Sequence, residues 1–87
     1  MKSPVSKLAC PCCGYMVISD EYDICPICCW QYDDYQNVNV DDNNGPNHVS
    51  LREAQIRFSN NRPIEDGMKG REPYPDEHRE PAWHPIQ

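Results

Sequence analysis

The sequence has little apolar material with which to build a core. It contains one phenylalanine and four glycines among 87 residues, and no apolar run approaches the length of a transmembrane helix. With so few large apolar side chains, the chain cannot form a large hydrophobic core, and its length limits it to one domain. A chain of this size often needs a staple such as a disulfide or a metal ion.

Basic residues are also scarce. Eight Lys and Arg face fourteen Asp and Glu, which gives a net charge of −6. Residues 1–49 hold only two lysines against seven carboxylates. Binding to nucleic acid needs cationic side chains on the phosphates, so this half of the chain is expected to repel DNA and RNA. We expect no nucleic-acid or membrane partner, and a basic protein partner instead.

Two Cys-x-x-Cys pairs dominate the first third of the chain. They are Cys10 with Cys13 and Cys25 with Cys28, and all six cysteines lie between residues 10 and 29. Two pairs with this spacing can supply the four soft ligands of a tetrahedral metal ion. The sequence therefore predicts a structural Zn²⁺ held by these four thiolates, with iron as a substitute ion.

Each pair lies in a sequence suited to a tight turn. Pro11 and Pro26 occupy the same position in the two pairs, where a φ fixed at about −65° starts a turn. Gly14 follows the first pair and permits positive φ, whereas Cys29 stands at the equivalent position in the second pair. The exit from the second turn is therefore less favourable.

The cysteines also allow other interpretations. A disulfide scaffold would spread its cysteines along the chain, and the first residues lack the apolar segment of a signal peptide, so we expect a reducing, cytoplasmic location. A dithiol catalyst would open a helix beside a βαβ pattern, which the sequence lacks. We expect Cys12 and Cys29 to be small buried apolar groups, the alternative being a second or swapped metal site with His48 or His84.

The predicted fold is a small α+β, zinc-ribbon-like domain in residues 1–62. An apolar run, a polar turn and a returning aromatic in residues 15–22 predict a hairpin, and residues 30–32 alternate as a third strand would. We predict a three-stranded antiparallel sheet that carries both cysteine knuckles. Residues 63–87 contain five prolines and predict an irregular tail, wrapped over the domain or disordered, with Trp83 docked on the domain.

One helix is predicted, over residues 51–60. Ser50 and Glu53 have the spacing of a capping box, and Leu51, Ala54 and Phe58 fall on one face. Asparagines and a proline follow at residues 60–63, where the helix is expected to end.

Residues 33–47 predict a polar loop. No register gives the alternating acidic ligands, the glycine and the final glutamate of a calcium-binding loop, so calcium is not expected. Acidic and aromatic side chains in and before this loop predict a partner-contact surface. Its members are Trp30, Tyr32, Asp33, Asp34, Tyr35, Asp41 and Asp42.

These motifs resemble the bacterial cysteine-rich CPCC family of small proteins. The resemblance rests on residues 10–15 (CPCCGY), 24–30 (ICPICCW) and 45–54 (GPNHVSLREA), and Cys29 departs from the family pattern. Some members look like immunity proteins encoded beside polymorphic toxins. The resemblance therefore implies an inhibitory binding role for this chain.

The hypothesis we favour is an acidic, zinc-stabilised protein-binding module and not an enzyme. In its specific form it is a monomeric immunity protein that neutralises a basic toxin domain, such as a nuclease, by occluding it. The alternative is a thiol redox or small metal-dependent enzyme, but four thiolates leave no open position on the metal. A second alternative, a nucleic-acid-binding ribbon, is supported only by the arginines of the predicted helix.

Overall fold

The computed structural model describes residues 7–86. Short strands and helices are joined by long irregular segments, as expected of a chain rich in proline and poor in apolar runs. The elements in chain order are β1 (Leu8–Ala9), β2 (Met16–Ile18), α1 (Asp34–Val38) and α2 (Leu51–Ser59). Among the described residues, no helix has the length and apolar character needed to cross a membrane.

The sheet has two strands. β1 and β2 pair antiparallel, with Leu8 opposite Ile18 and Ala9 opposite Met16. The connection between the strands is the first Cys-x-x-Cys turn, so the sheet brings both ends of that turn together. The apolar run at residues 16–18 therefore pairs with the segment that precedes the first cysteine.

The third strand predicted at residues 30–32 is not formed. An isolated bridge between Ile24 and Gln31 is what the structure has there. The chain adopts positive φ at Tyr22 (67°) and at Cys29 (73°), each two residues before one partner of this bridge. These turns leave too few consecutive extended residues for a strand, because a ladder needs several residues with φ in the β region.

The polar loop predicted at residues 33–47 begins instead with a helix. The Asp33 carboxylate accepts a hydrogen bond from the backbone N–H of Gln36 at 3.0 Å and so caps the N-terminus of α1. Asp34 lies in the first turn, where the helix dipole favours a negative charge. An aspartate followed three residues later by a glutamine has the spacing of a capping box, so the sequence does carry a local signal for this helix.

Gln36 and Asn47 tie the rest of this loop together. Both side chains are buried, and Gln36 Nε2 donates to the backbone oxygens of Asp42 and Asn47 at 3.0 and 3.1 Å. Asn47 Nδ2 donates to the Gln31 carbonyl at 2.9 Å, while Asn47 Oδ1 accepts from the Gln31 N–H at 2.8 Å. Buried amides that are fully hydrogen-bonded fix one conformation of an irregular segment.

Helix α2 begins where the capping signal indicates. Ser50 is the N-cap, and its hydroxyl oxygen accepts from the Glu53 N–H at 3.1 Å. The Glu53 carboxylate accepts from Arg57 Nε at 2.9 Å, one turn further along the helix. Leu51, Ala54 and Gln55 face the interior, so the buried face of α2 is narrow.

The core is built largely around sulfur. Its buried members are five cysteines together with Ile18, Ile27, Trp30, Leu51, Ala54 and Ile64. Residues 63–86 lie against this core: Ile64 is buried, and the Ile86 N–H donates to Gln55 Oε1 at 2.8 Å. The division of the chain into residues 1–62 and 63–87 stays a prediction.

Candidate metal centre

The first knuckle is a tight turn closed by two backbone hydrogen bonds. The Gly14 N–H donates to the Cys10 carbonyl at 2.7 Å, and the Cys10 N–H donates to the Tyr15 carbonyl at 2.9 Å. Gly14 has a φ of +85°, a conformation that glycine adopts more readily than any other residue. The turn aims the Cys10 and Cys13 side chains to the same side of the backbone.

The second knuckle repeats this hydrogen-bond pattern fifteen residues later. The Cys29 N–H donates to the Cys25 carbonyl at 2.9 Å, and the Cys25 N–H donates to the Trp30 carbonyl at 2.8 Å. Cys29 takes the position of Gly14 and adopts a φ of +73°. A side-chain-bearing residue therefore holds a left-handed conformation here, at a cost of roughly 1–2 kcal/mol.

The two knuckles face each other and bring four sulfurs together. The Sγ atoms of Cys10, Cys13, Cys25 and Cys28 all lie within 4.8 Å of one another, and all four residues are buried. Cys10 Sγ is 3.4 Å from Cys28 Sγ, and Cys13 Sγ is 3.7 Å from Cys25 Sγ. In a tetrahedron with metal–sulfur distances of about 2.3 Å, the sulfurs lie about 3.8 Å apart. The cluster therefore has the size required to hold a single metal ion.

The chemistry of the donors also fits a cation. Hydrogen bonds from the Cys10, Cys13 and Cys28 thiols strongly lower the pKa of Cys25. Burial raises the pKa of Cys10, and the surrounding thiols, Cys10 first, raise the pKa of Cys28. When no cation is present, these shifts keep the Cys10 and Cys28 thiols protonated, and Cys25 ionises most readily of the three. A divalent cation removes this restriction, because it stabilises all four thiolates at once.

Backbone donors surround the sulfur of Cys25. The Ile27 and Cys28 N–H groups donate to Cys25 Sγ at 3.4 and 3.5 Å. Such N–H···S contacts withdraw charge from a thiolate and orient it, as outer partners of metal ligands commonly do.

The C-terminal segment, residues 70–86, covers the first knuckle. Trp83 Nε1 donates to the Pro11 carbonyl at 2.9 Å, and the Glu80 N–H donates to the Gly14 carbonyl at 2.8 Å. Arg79 Nε donates to the Cys13 carbonyl at 2.9 Å, and its guanidinium lies 5.5 Å from the Trp83 ring. These contacts shield the sulfur cluster from solvent on that side.

The same segment covers the second knuckle with less side-chain contact. The Arg71 N–H donates to the Pro26 carbonyl at 2.9 Å. Gly70 packs so closely that a Cβ there would overlap the Ile27 carbonyl. Arg71 is held by a two-pronged ion pair with Glu77, with both N–O distances at 2.8 Å.

The two remaining cysteines lie beside the cluster. Cys12 is buried, and Cys29 is half-buried with a pKa raised by burial and by the nearby Cys25. His48 is exposed and contacts Glu65 at 3.1 Å, while His84 Nδ1 lies 3.0 Å from the Pro85 carbonyl. Within residues 7–86, a group of three or more potential metal ligands is found only at the four knuckle cysteines. A second site with either histidine is therefore not formed.

The predicted partner surface is only partly exposed. Trp30 is 0% exposed and donates through Nε1 to Asn37 Oδ1 at 3.1 Å, and Asp33 is 8% exposed as the cap of α1. Both side chains make their contacts in the interior of the structure, and their assignment to a partner surface stays a prediction. Tyr32 is half-buried, whereas Asp34 and Tyr35 are exposed. Their role in partner binding stays a prediction.

Asp41 and Asp42 are already engaged within the chain. The Asp41 carboxylate pairs with Arg52 Nε at 2.7 Å, which lowers the pKa of Asp41. The Asp42 carboxylate accepts from the Tyr35 hydroxyl at 2.7 Å, which lowers the pKa of Asp42. Arg52 offsets the negative charge of Asp41, whereas the neutral Tyr35 hydroxyl leaves the charge of Asp42 in place.

A carboxylate that the sequence analysis did not select joins Asp34. Loss of hydration and the neighbouring Asp34 raise the pKa of Glu21. The charge of Glu21 in turn raises the pKa of exposed Tyr22, and burial together with Asp34 raises that of Tyr32. We name Glu21, Tyr22, Tyr32 and Asp34 the acidic face. Only the turn of the chain at Tyr22 brings Glu21 to this place, so no local sequence signal marks it.

The fold and the four-sulfur cluster define a small, compact, cysteine-rich α+β protein with a four-cysteine cluster that could hold a metal ion. A family model described as Cysteine-rich CPCC matches residues 8–77. The chain belongs to this family, because the match covers most of its length. A search of the curated proteins found no match.

Proposed function

We propose that this protein is a zinc-stabilised binding module whose acidic face docks a basic protein partner. The observation that carries the metal part is the cluster of four buried sulfurs within 4.8 Å. Zinc accepts four thiolates in tetrahedral geometry and has no redox chemistry of its own, which suits a structural role. A bound ion would cross-link the two knuckles. Cys10, Cys13, Cys25 and Cys28 would hold it.

The charge of the molecule supports the docking part. The net charge is −6, and four thiolates around a divalent ion would add about −2. Glu21 and Asp34 repel each other on the acidic face, and a cationic side chain placed between them would relieve that repulsion. Exposed Tyr22 beside them offers the kind of aromatic anchor that binding surfaces favour.

In its most specific form the proposal is an immunity protein. The partner would then be a basic toxin domain, such as a nuclease, whose phosphate-binding groups the acidic face covers. Inhibition would be by occlusion, without a catalytic group on this chain. Small size, acidity and membership of the CPCC family, some members of which look like immunity proteins, support this choice.

The metal part is tested first, on purified protein. Elemental analysis of protein produced with zinc should return one equivalent of zinc, and the Cys13→Ser variant should return far less. The half-buried Cys29→Ser variant is the matched control and should keep the metal. A wild-type protein without stoichiometric zinc or iron would overturn the proposal.

The docking part is tested by association kinetics with a basic protein domain recovered together with this protein from its native host. The association rate should fall as salt rises from about 0.05 to about 0.5 M. Over this range the Debye screening length shortens from about 14 to about 4 Å, which weakens the attraction between the acidic face and a basic partner. The double variant Glu21→Gln/Asp34→Asn should associate at least about tenfold more slowly. Asp66→Asn/Asp76→Asn removes the same charge from other exposed positions and should have a smaller effect. Equal slowing in both variants would contradict the acidic face.

A further inference from the structure

A groove of about 240 Å³ lies between α2 and the C-terminal segment. It is lined by Ile56 and Phe58 of α2, by Trp83 and Ile86 of the C-terminal segment, and by the buried Cys12. Ile56 is 50% exposed, so its side chain is accessible to a ligand. The groove is separate from both the sulfur cluster and the acidic face.

The walls of the groove are held in place by hydrogen bonds. Gln55 Nε2 donates to the Pro11 carbonyl at 2.8 Å, and Gln55 Oε1 accepts from the Ile86 N–H at 2.8 Å. Trp83 Nε1 donates to the same Pro11 carbonyl at 2.9 Å, which fixes the orientation of the indole. The groove is therefore preformed, and a ligand would not have to order its walls on binding.

The charge of the groove is opposite to that of the protein. Arg52 and Arg79 line it, and among the described residues no carboxylate does. Arg52 is engaged by Asp41, so Arg79 is the stronger candidate for an anion. The Arg79 guanidinium lies 4.8 Å from the Tyr15 ring and 5.5 Å from the Trp83 ring, and it uses Nε for the Cys13 carbonyl. A group held in this way presents its terminal nitrogens in a fixed direction.

We propose that this groove binds a small carboxylate that carries one apolar group, a single ring or a branched aliphatic chain. The apolar group would lie between Ile56 and Trp83, and the carboxylate would accept hydrogen bonds from the terminal nitrogens of Arg79. The volume of the groove favours a ligand this small, because the pockets that bind drug-sized and nucleotide ligands usually measure about 300–1,000 Å³. This proposal does not depend on the acidic face or on a protein partner.

The test is a titration of the zinc-loaded protein with phenylacetate, followed in ¹H–¹⁵N spectra. The indole N–H of Trp83 and the side-chain amide of Gln55 should shift and saturate, with a Kd on the order of 1 mM for so small a ligand. The indole N–H of Trp30, which is buried and bonded to Asn37, should not move. Acetate and 2-phenylethanol separate the contributions of charge and ring, and each should bind at least about tenfold more weakly.

Two variants locate the binding. Ile56→Asp places a carboxylate in the groove and should raise the Kd for phenylacetate at least about tenfold. Val38→Asp makes the same change on α1, where Val38 is 76% exposed, and should leave the Kd unchanged. Absence of saturable shifts, equal binding of 2-phenylethanol, or unchanged binding by Ile56→Asp would overturn the proposal. A dimer in sedimentation that Ile56→Asp dissolves would also overturn it, because the groove would then be covered by a second copy.

Discussion

The two knuckles share one backbone pattern but meet the rest of the chain differently. Gly14 ends the first turn with positive φ, and a Cβ there would come within 2.6 Å of the Trp83 ring. Cys29 ends the second turn with positive φ and is half-buried, so the surrounding structure accommodates its side chain. Backbone conformation alone therefore does not require glycine at this position. Close packing against the C-terminal segment requires it in the first knuckle only.

The largest expected effect is common to both knuckles. Replacing Cys13 or Cys28 with serine should abolish metal binding and unfold the domain, because metal binding in such small sites supplies on the order of 10 kcal/mol of folding free energy. Circular dichroism and zinc content measure both consequences. Chelation of the wild-type protein should have the same result.

The control for this experiment is Cys29→Ser, which should remain folded and keep its zinc. A Cys13→Ser variant with normal zinc content, or a wild-type chain as ordered after chelation as before, would contradict the metal-centred description of both knuckles.

An exchange of the two exit residues should separate the knuckles. Gly14→Cys should lower the free energy of unfolding by about 3 kcal/mol, because it combines a left-handed side-chain-bearing residue with overpacking against Trp83. Cys29→Gly should change it by less than about 1 kcal/mol, since relief of the left-handed conformation offsets the lost side-chain contacts. Urea unfolding of the zinc-loaded proteins gives both values.

Equal losses in the two variants would mean that the difference between the knuckles lies elsewhere. Trp83→Ala supplies the further control, because removal of the ring should make Gly14→Cys less damaging in the double variant than in the single one.

The contact of Gly70 with the second knuckle should be worth less than that of Trp83 with the first. Gly70→Ala places a Cβ on the Ile27 carbonyl, so the segment must shift away from the second knuckle. We expect a loss of about 2 kcal/mol in urea unfolding and faster zinc release to a chelator. The shift should also disturb the hydrogen bond from the Arg71 N–H to Pro26.

Gly67→Ala is the matched control for this substitution. Gly67 has a φ of +84°, and a Cβ there would meet no atom within 4 Å. Its loss should come from backbone strain alone, about 1 kcal/mol, with unchanged zinc release. A Gly70→Ala variant that behaves like Gly67→Ala would show that the contact with Ile27 is unimportant.

The smallest expected effect is a pH dependence at the second knuckle. The Arg71 guanidinium and the Tyr74 N–H lower the pKa of Glu77 from its usual 4.5 to about 2. Because the folded-state pKa is the lower one, the stabilisation is complete above about pH 4.5 and is lost as the pH falls toward about 2. Zinc-loaded wild-type protein should therefore melt above Glu77→Gln at pH 7, and the difference should shrink on acidification.

Exposed Glu72 provides the comparison for this measurement, and Glu72→Gln should melt like the wild type at both pH values. Since protonation of the thiolates also releases metal in acid, the quantity to follow is the difference between variants at each pH. A difference that grows as the pH falls would contradict the ion pair as its source.

The amino-acid sequence alone determined the features that depend on local chemistry. The spacing of four cysteines, with a proline inside each pair, dictates two turns that can share one ion. Ser50 and Glu53 mark the start of α2, because a cap acts within one turn of helix. Asp33 and Gln36 carry the same kind of signal for α1, so that helix was also within reach of the sequence.

Tertiary structure decided what depends on distant contacts. The alternation at residues 30–32 is compatible with a strand, yet the turns at Tyr22 and Cys29 shorten it to a bridge. In the sequence, Trp30 suits a partner contact and a core position equally well. It lies in the core because few other large side chains are available to fill the interior beside the sulfur cluster. Glu21 reaches Asp34, and Trp83 reaches Gly14, only through the path of the whole chain. Burial and charge proximity are sums over the entire fold, and no local stretch of sequence contains them.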